Sequence, residues 1–207
     1  MSMQDQWVRW AVEIQSLAQA GLAYGRDEYD RERYARLREI AAEMIACKAD
    51  LPLEKARGLF CGETGYQTPK IDTRAAVFEA DRILLVHEKN GTWALPGGWC
   101  DVDRAVGENA VKETLEEAGL TVTAERLIAV QDCRRHNDPA SAYGIAKVFF
   151  LCRRVGGDFS PNLETTESGY FALGEPSENL AAAKTTREQI EMCFRAKADP
   201  AWQVVFD

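Results

Sequence analysis

The sequence predicts an α/β sandwich preceded by a small all-helical segment. Three observations predict it. Apolar residues recur at helical spacing through roughly the first sixty positions. From about residue 70 onward, short apolar runs of strand length are interspersed with helical stretches. Between these textures lies GETGYQTPKID, rich in Gly, Thr and Pro and without periodicity. The chain of 207 residues can form one large domain or two small ones, and 46% hydrophobic content with 5 Trp, 8 Phe and 6 Tyr supplies a substantial core.

Taken in order, Trp7, Trp10, Ala11, Ile14, Leu17, Ala18 and Leu22 form one helical stripe ending near Gly25. Tyr34, Leu37, Ala41, Met44 and Ile45 form a second. Asp50, before Leu51 and Pro52, is the expected cap of a short helix running through Phe60. Three short helices with aromatic stripes require a covering surface, either the rest of the chain or a second copy. The aperiodic tract places a boundary between residues 62 and 70, giving domains 1–63 and 64–207. RAAVFEADRILLVHEK then reads as a β-hairpin turning at Ala80 and Asp81, and KNGTWALPGG as a turn, a short strand and a Pro-Gly-Gly loop. GENAVKETLEEAGL is helical, RLIAVQD a strand, YGIAKVFFLCRRV the most apolar strand, GYFAL a short strand and TTREQIEMCFRAK a closing helix.

The formal charge of -8, from 33 acids and 25 bases, disfavours duplex nucleic acid as a partner, since such binding needs Lys and Arg to neutralise phosphates. It leaves nucleotides open, because a divalent cation can stand between carboxylates and a phosphate. Cys47, Cys61, Cys100, Cys133, Cys152 and Cys193 lie far apart with no C-x-x-C pair, and His87 and His136 are not at zinc-finger spacing. Free thiols in a reducing compartment follow. No apolar run reaches membrane-spanning length, and MSMQDQW carries no signal-peptide core, so a cytosolic protein without a membrane partner is expected.

The chemistry concentrates between Gly97 and Leu120, GGWCDVDRAVGENAVKETLEEAGL. On a helix of 3.6 residues per turn, Glu116 and Glu117 fall beside Glu113 on one face. Val111, Thr114, Leu115 and Ala118 fall opposite, where they can pack on a sheet, and Gly119 offers a helix stop. An isolated E-x-x-E-E helix is commonly just a solvated acidic face. Here the preceding Leu95-Pro96-Gly97-Gly98 lets backbone approach a ligand closely, which points instead to a site for a hard cation with oxygen ligands.

This segment resembles the Nudix box, G-x(5)-E-x(7)-R-E-U-x-E-E-x-G-U, where U is a bulky aliphatic residue. Gly98, Glu113, Glu116, Glu117, Gly119 and Leu120 stand at its positions. The resemblance implies a mixed-sheet α/β/α sandwich in which Glu113 and Glu117 hold Mg2+, with Mn2+ also accommodated. Glu116 adds a ligand or orients water, and the Gly97 or Gly98 carbonyl assists. Three positions depart from the pattern: Arg104 replaces the first glutamate, Lys112 the arginine, and Thr114 an aliphatic residue. Lys112 keeps the charge without the planar fork. Asp101, Asp103 and Glu108 are the candidates for the missing acid. Beyond the box, the N-terminal helices, GYQTPKIDTRAAVF and LPGGWCDV resemble the Nudix subgroup with an added helical domain. Its members include CDP-choline pyrophosphatases and proteins labelled ADP-ribose pyrophosphatases. That domain implies a homodimer.

The resemblance implies hydrolysis of a nucleoside diphosphate linked to a group X, giving a nucleoside monophosphate and phosphorylated X. Glu116 and Glu167, the latter just before GYFAL, are the candidate general bases. Arg134, Arg135, His136 and Trp99 are weaker candidates for contacting substrate, and Trp93 and Tyr66 weaker still as stacking platforms. The alternative from another class is a non-catalytic module that binds a nucleotide metabolite, a reading favoured by Arg104 and Lys112. A nucleic-acid-binding regulator is disfavoured, because DEYDRERYARLREI mixes charges of both signs.

Overall fold

The computed structural model describes residues 3–137, 144–175 and 179–207. Contacts divide the chain into two compact units, Met1–Pro69 and Lys70–Asp207.

The first unit holds α1 (Met3–Tyr24), α2 (Glu28–Ala49) and α3 (Leu53–Phe60). At 22 residues each, α1 and α2 exceed the short helices their apolar stripes imply. Charged residues extend them, and Asp27 caps α2 by accepting from the Asp30 N–H. The stripe of α1 splits into two. Ala11, Gln15, Ala18 and Gln19 are buried, whereas Trp7, Trp10 and Leu17 are exposed. The small face matches small residues on α2, namely Ala41, Ala42 and Ala46. Asp50 does not cap α3. It closes α2 in the left-handed region with φ 50, its N–H on the Ala46 carbonyl, and α3 begins at Leu53, with Pro52 at the cap position and no side-chain cap. Aspartate tolerates that conformation better than most residues. No described helix is long and apolar enough to cross a membrane.

The second unit is an α/β/α sandwich. Its strands are β1 (Lys70–Glu79), β2 (Arg82–Glu88), β3 (Trp93–Ala94), β4 (Leu120–Asp132), β5 (Ile145–Gly157), β6 (Thr165–Ala172) and β7 (Val205–Phe206); its helices are α4 (Val106–Ala118), α5 (Cys133–His136) and α6 (Arg187–Ala198). The sheet runs β3-β2-β1-β5-β4-β7, with β6 on the other edge of β2. It is mixed: β1 pairs parallel with β5, while β4 pairs antiparallel with β5. Both faces are covered, so strand residues alternate between two cores rather than between core and water. Ala76, Ile83, Leu85, Ile128 and Phe149 pack with Ile190, Met192 and Cys193 of α6. Ala75, Val77, Leu84 and Val86 pack with Ala118, and Val111 of α4 joins them. Each fully buried Leu or Ile contributes about 2 kcal/mol.

One irregularity shapes the site. β1 and β2 pair only at the hairpin end, Phe78 with Ile83 and Glu79 with Arg82. Beyond it, the segment after β3 takes the vacated edge of β1. Ala75 N–H donates to the Pro96 carbonyl and Thr73 N–H to the Gly98 carbonyl, each at 2.9 Å.

Candidate active site

Alternation along that segment decides where Gly97 points. Pro96 and Gly98 turn their carbonyls to β1, and Gly97 turns its N–H away, onto Glu117 Oε2 at 2.8 Å. Gly97 has φ 147, and a Cβ there would lie 1.9 Å from the Thr73 carbonyl oxygen. A Cβ on Gly98 would come within 2.6 Å of Glu113 Oε2. Glycine at both positions therefore lets backbone lie directly against two carboxylates of α4.

Helix α4 presents Glu113, Glu116 and Glu117 to one cleft of about 600 Å³, shared with Gly97, Gly98 and Trp99. Glu113 and Glu117 are buried and Glu116 is exposed, so this is no solvated face. Thr114 and Ala118 are buried and Val111 packs against the sheet core, as spacing suggests, but Leu115 is 52% exposed. The reason is the burial of Glu113 and Glu117, which turns the helix so that Leu115 leaves the sheet. Burial pushes the Glu117 carboxyl up to about 7, against the Gly97 N–H and Arg74, which favour its charged form. Burial also raises Glu113, even though Lys112 lies 3.0 Å away and opposes the shift. Lys112 itself is raised by hydrogen bonds to Glu113 and then Glu116. The two partners shift in the same direction because desolvation outweighs the ion pair on the carboxylate and not on the more exposed ammonium.

Lys112 Nζ reaches Glu113, Glu116 at 3.1 Å and Asp101 at 3.2 Å. Arg104 Nε also meets Asp101, at 3.3 Å. Of the three candidates for the missing acid, Asp101 is the one beside Lys112. Glu108 accepts from the Ala105 N–H at the start of α4, and Asp103 is exposed.

The floor of the cleft carries charges that were not singled out from the sequence. Arg74 grips Asp72 through two hydrogen bonds of 2.7 and 2.6 Å and donates to the Leu95 carbonyl at 3.0 Å. Lys147, beside Asp72 in the parallel register, donates to the Ala183 and Lys184 carbonyls at 2.9 and 2.6 Å. Burial, followed by the like charge of Arg74, lowers Lys147 to about 8. Lys184 pairs with Glu88. The available signal was a charge inside an apolar strand (Asp72 and Arg74 before AAVF, Lys147 inside IAKVFF), since such a charge must find a partner.

Other expected residues lie elsewhere. Glu167 is exposed in β6, in register with His87, and does not line the cleft. Glu164 lines it instead, because Asn162 and Thr165 tie that turn to the Glu116 and Glu117 carbonyls. Arg134, Arg135 and His136 form α5 outside the cleft lining, where Arg134 is clamped on Asp132 and His136 on Asp207. Trp93 packs edge-on against Phe171 in the core, while Tyr66 belongs to the first unit. Residues 138–143, which follow α5, fall outside the described residues.

Among the described residues, no three acidic, histidine or cysteine side chains converge into a finished metal cage. Lys112 occupies Glu113 and Glu116, and Gly97 holds Glu117. The donors nevertheless fit a divalent cation: all are hard oxygens, two are desolvated, and the lack of a side chain on Gly98 leaves its backbone directly against Glu113.

Residues 68–193 match the NUDIX domain, and residues 5–60 match a domain described as UDP-X-like, N-terminal oligomerisation. A Bacillus subtilis (strain 168) protein, provisionally named an ADP-ribose pyrophosphatase, is 38% identical over 100% of both chains. The crystal structure of an ADP-ribose pyrophosphatase from Streptococcus suis is 50% identical, with TM-score 0.63, over 68% of this chain and 100% of that one. The crystal structure of a UDP-X diphosphatase is 32% identical, with TM-score 0.63, over 98% of both.

Proposed function

The chain belongs to the NUDIX family, and from that premise we propose a magnesium-dependent pyrophosphohydrolase acting on a nucleoside diphosphate linked to X. Products are a nucleoside monophosphate and phosphorylated X, with ADP-ribose, CDP-choline and UDP-linked compounds as the substrate types. The observation that carries this reading is the pair of buried carboxylates, Glu113 and Glu117, facing the cleft beside Gly97 and Gly98.

Glu113, Glu116 and Glu117, with the Gly97 carbonyl, would hold the cation. Bound there, Mg2+ or Mn2+ supplies neutralisation of the diphosphate oxygens and acidification of a water. Water oxygen attacks one phosphorus, the bridging P–O bond breaks, and the bridging oxygen leaves with the other phosphate. Glu116 or Glu164 takes the proton from the attacking water; both line the cleft and both are exposed enough to meet water. Trp99, 53% exposed on the cleft wall, offers a ring for stacking on a base. The six free cysteines agree with a cytosolic enzyme.

A non-catalytic nucleotide-binding module is the second reading, favoured by Lys112 lying on two of the acids. Hydrolysis of ADP-ribose, CDP-choline, a UDP-sugar, NADH, a diadenosine polyphosphate and nucleoside triphosphates by the purified protein with Mg2+ separates the two. Turnover of a diphosphate-linked substrate that Glu117→Gln abolishes while remaining folded is the expected outcome. Binding without turnover in Mg2+ and Mn2+ would move the assignment to the second reading.

A further inference from the structure

Three carboxylates converge on one ammonium beside the cleft. Two of them, Glu113 and Glu116, lie on the same helix as Lys112, and the third, Asp101, comes from the preceding loop. Lysine has three N–H donors, so each carboxylate can take one. A divalent cation at Glu113 and Glu116 would compete with Lys112 for the same oxygens and repel its charge. The ammonium then needs another acceptor within reach.

Asp101 is placed to be that acceptor without help from Lys112. Its backbone N–H donates to Asn109 Oδ1 at 3.2 Å, and Asn109 donates to Thr73 Oγ1 at 2.9 Å and to the Trp99 carbonyl at 3.1 Å. Asn109 is fully buried on α4, so the loop carrying Asp101 is tied both to the helix and to β1. Arg104, three residues on, meets the same carboxylate at 3.3 Å and helps to hold it in place.

We propose that Asp101 is a positioning residue that draws Lys112 off Glu113 and Glu116, freeing these carboxylates for a divalent cation. This rests on the reading of the α4 acids as cation ligands. Asp101 acts through Lys112, so its removal leaves the ammonium, among the described residues, paired only with the ligands themselves.

A double-variant cycle on the full chain, read by Mn2+ binding (electron paramagnetic resonance of free Mn2+) and not by turnover, tests this. Asp101→Asn should weaken Mn2+ binding roughly 10-fold to 100-fold, the range for residues that orient metal ligands. In a Lys112→Gln background the same change should have little effect. Asp103→Asn, which removes a nearby exposed acid, should leave binding unchanged and so controls for general charge. Equal losses from Asp101→Asn in both backgrounds, or no loss in either, would overturn the proposal and leave the cation-ligand reading intact. Failure of the unaltered protein to bind Mn2+ would overturn both. Circular dichroism confirms that each variant is folded.

Discussion

At the scale of single residues, the cleft is defined by groups that water would otherwise stabilise. Gly97 is the least replaceable of them. Its φ of 147 disfavours any side chain, and the added Cβ of Gly97→Ala would meet the Thr73 carbonyl oxygen at 1.9 Å. We expect a loss of at least about 2 kcal/mol in urea denaturation, because both strain and displacement of β1 contribute. Unchanged stability would show that the loop relaxes at this point. Lys147 provides a second test through pH. Its folded value of about 8 lies below the ordinary lysine value of 10.5, so between these limits the unfolded chain binds more protons and stability rises with pH. Its contribution is present above the upper limit and is lost as pH falls through the lower one. Relative to Lys147→Met, the native chain should therefore gain on the order of 3 kcal/mol across that window. Loss of the bonds to Ala183 and Lys184 adds an offset independent of pH, and a flat difference would show that the ammonium is not desolvated. The grouping of Glu113, Glu116 and Glu117 is readable from helical spacing alone. The Asp72, Arg74 and Lys147 cluster is not, because Asp72 and Lys147 meet only through the parallel register of β1 and β5, which no local pattern encodes.

At the scale of elements, the turn before β6 is latched to the end of α4. Asn162 donates to the Glu116 carbonyl at 2.9 Å and the Glu117 carbonyl at 3.3 Å, and Thr165 Oγ1 donates to the Glu117 carbonyl at 2.6 Å. These bonds satisfy helix-end carbonyls that lack intrahelical partners, and they carry Glu164 to the cleft. Asn162→Ala should lower stability by about 1 kcal/mol, a shift of roughly 2–4 °C in Tm. If Glu164 takes part in turnover, Asn162→Ala should also reduce kcat, and Glu164→Gln should add nothing further in that background. Additive losses would separate the latch from the carboxylate. The hairpin, α4, β5 and α6 are legible in the sequence because each has a clear period or a long apolar run. Others are not: α5 is 4 residues and β7 is 2, too short to show a period. The sequence offers Glu167 as the acid near β6, and it could not show that Glu164 is the one brought to the cleft lining, for a related reason. The place of Glu167 on the exposed side follows from pairing with β2, and the latch that brings Glu164 inward depends on α4, far away in sequence.

At the scale of the whole molecule, the two units divide their labour in composition as well as in fold. The second covers both faces of its sheet with its own helices. The first buries its alanines and leaves Trp7, Trp10, Leu17 and Tyr24 exposed along α1 at 52%, 45%, 63% and 68%. The positions step by three and seven, which keeps them on one side of a helix, and the Trp7 and Trp10 rings meet edge-on at 5.6 Å. Such a stripe favours covering by an identical stripe across a two-fold axis, where each residue is used twice. The match of residues 5–60 to a domain described as oligomerising supports this. Sedimentation velocity should therefore find the protein at twice its chain mass of 23.1 kDa. Each half-exposed indole that becomes covered should contribute about 1 kcal/mol, so replacing Trp7 and Trp10 by Ser in both copies removes about 4 kcal/mol and weakens the dimer roughly a thousandfold. The variant should then sediment as a monomer at micromolar concentration. A native monomer would show that the stripe is not an interface between copies. A variant that stays dimeric would place the interface on another surface of the chain.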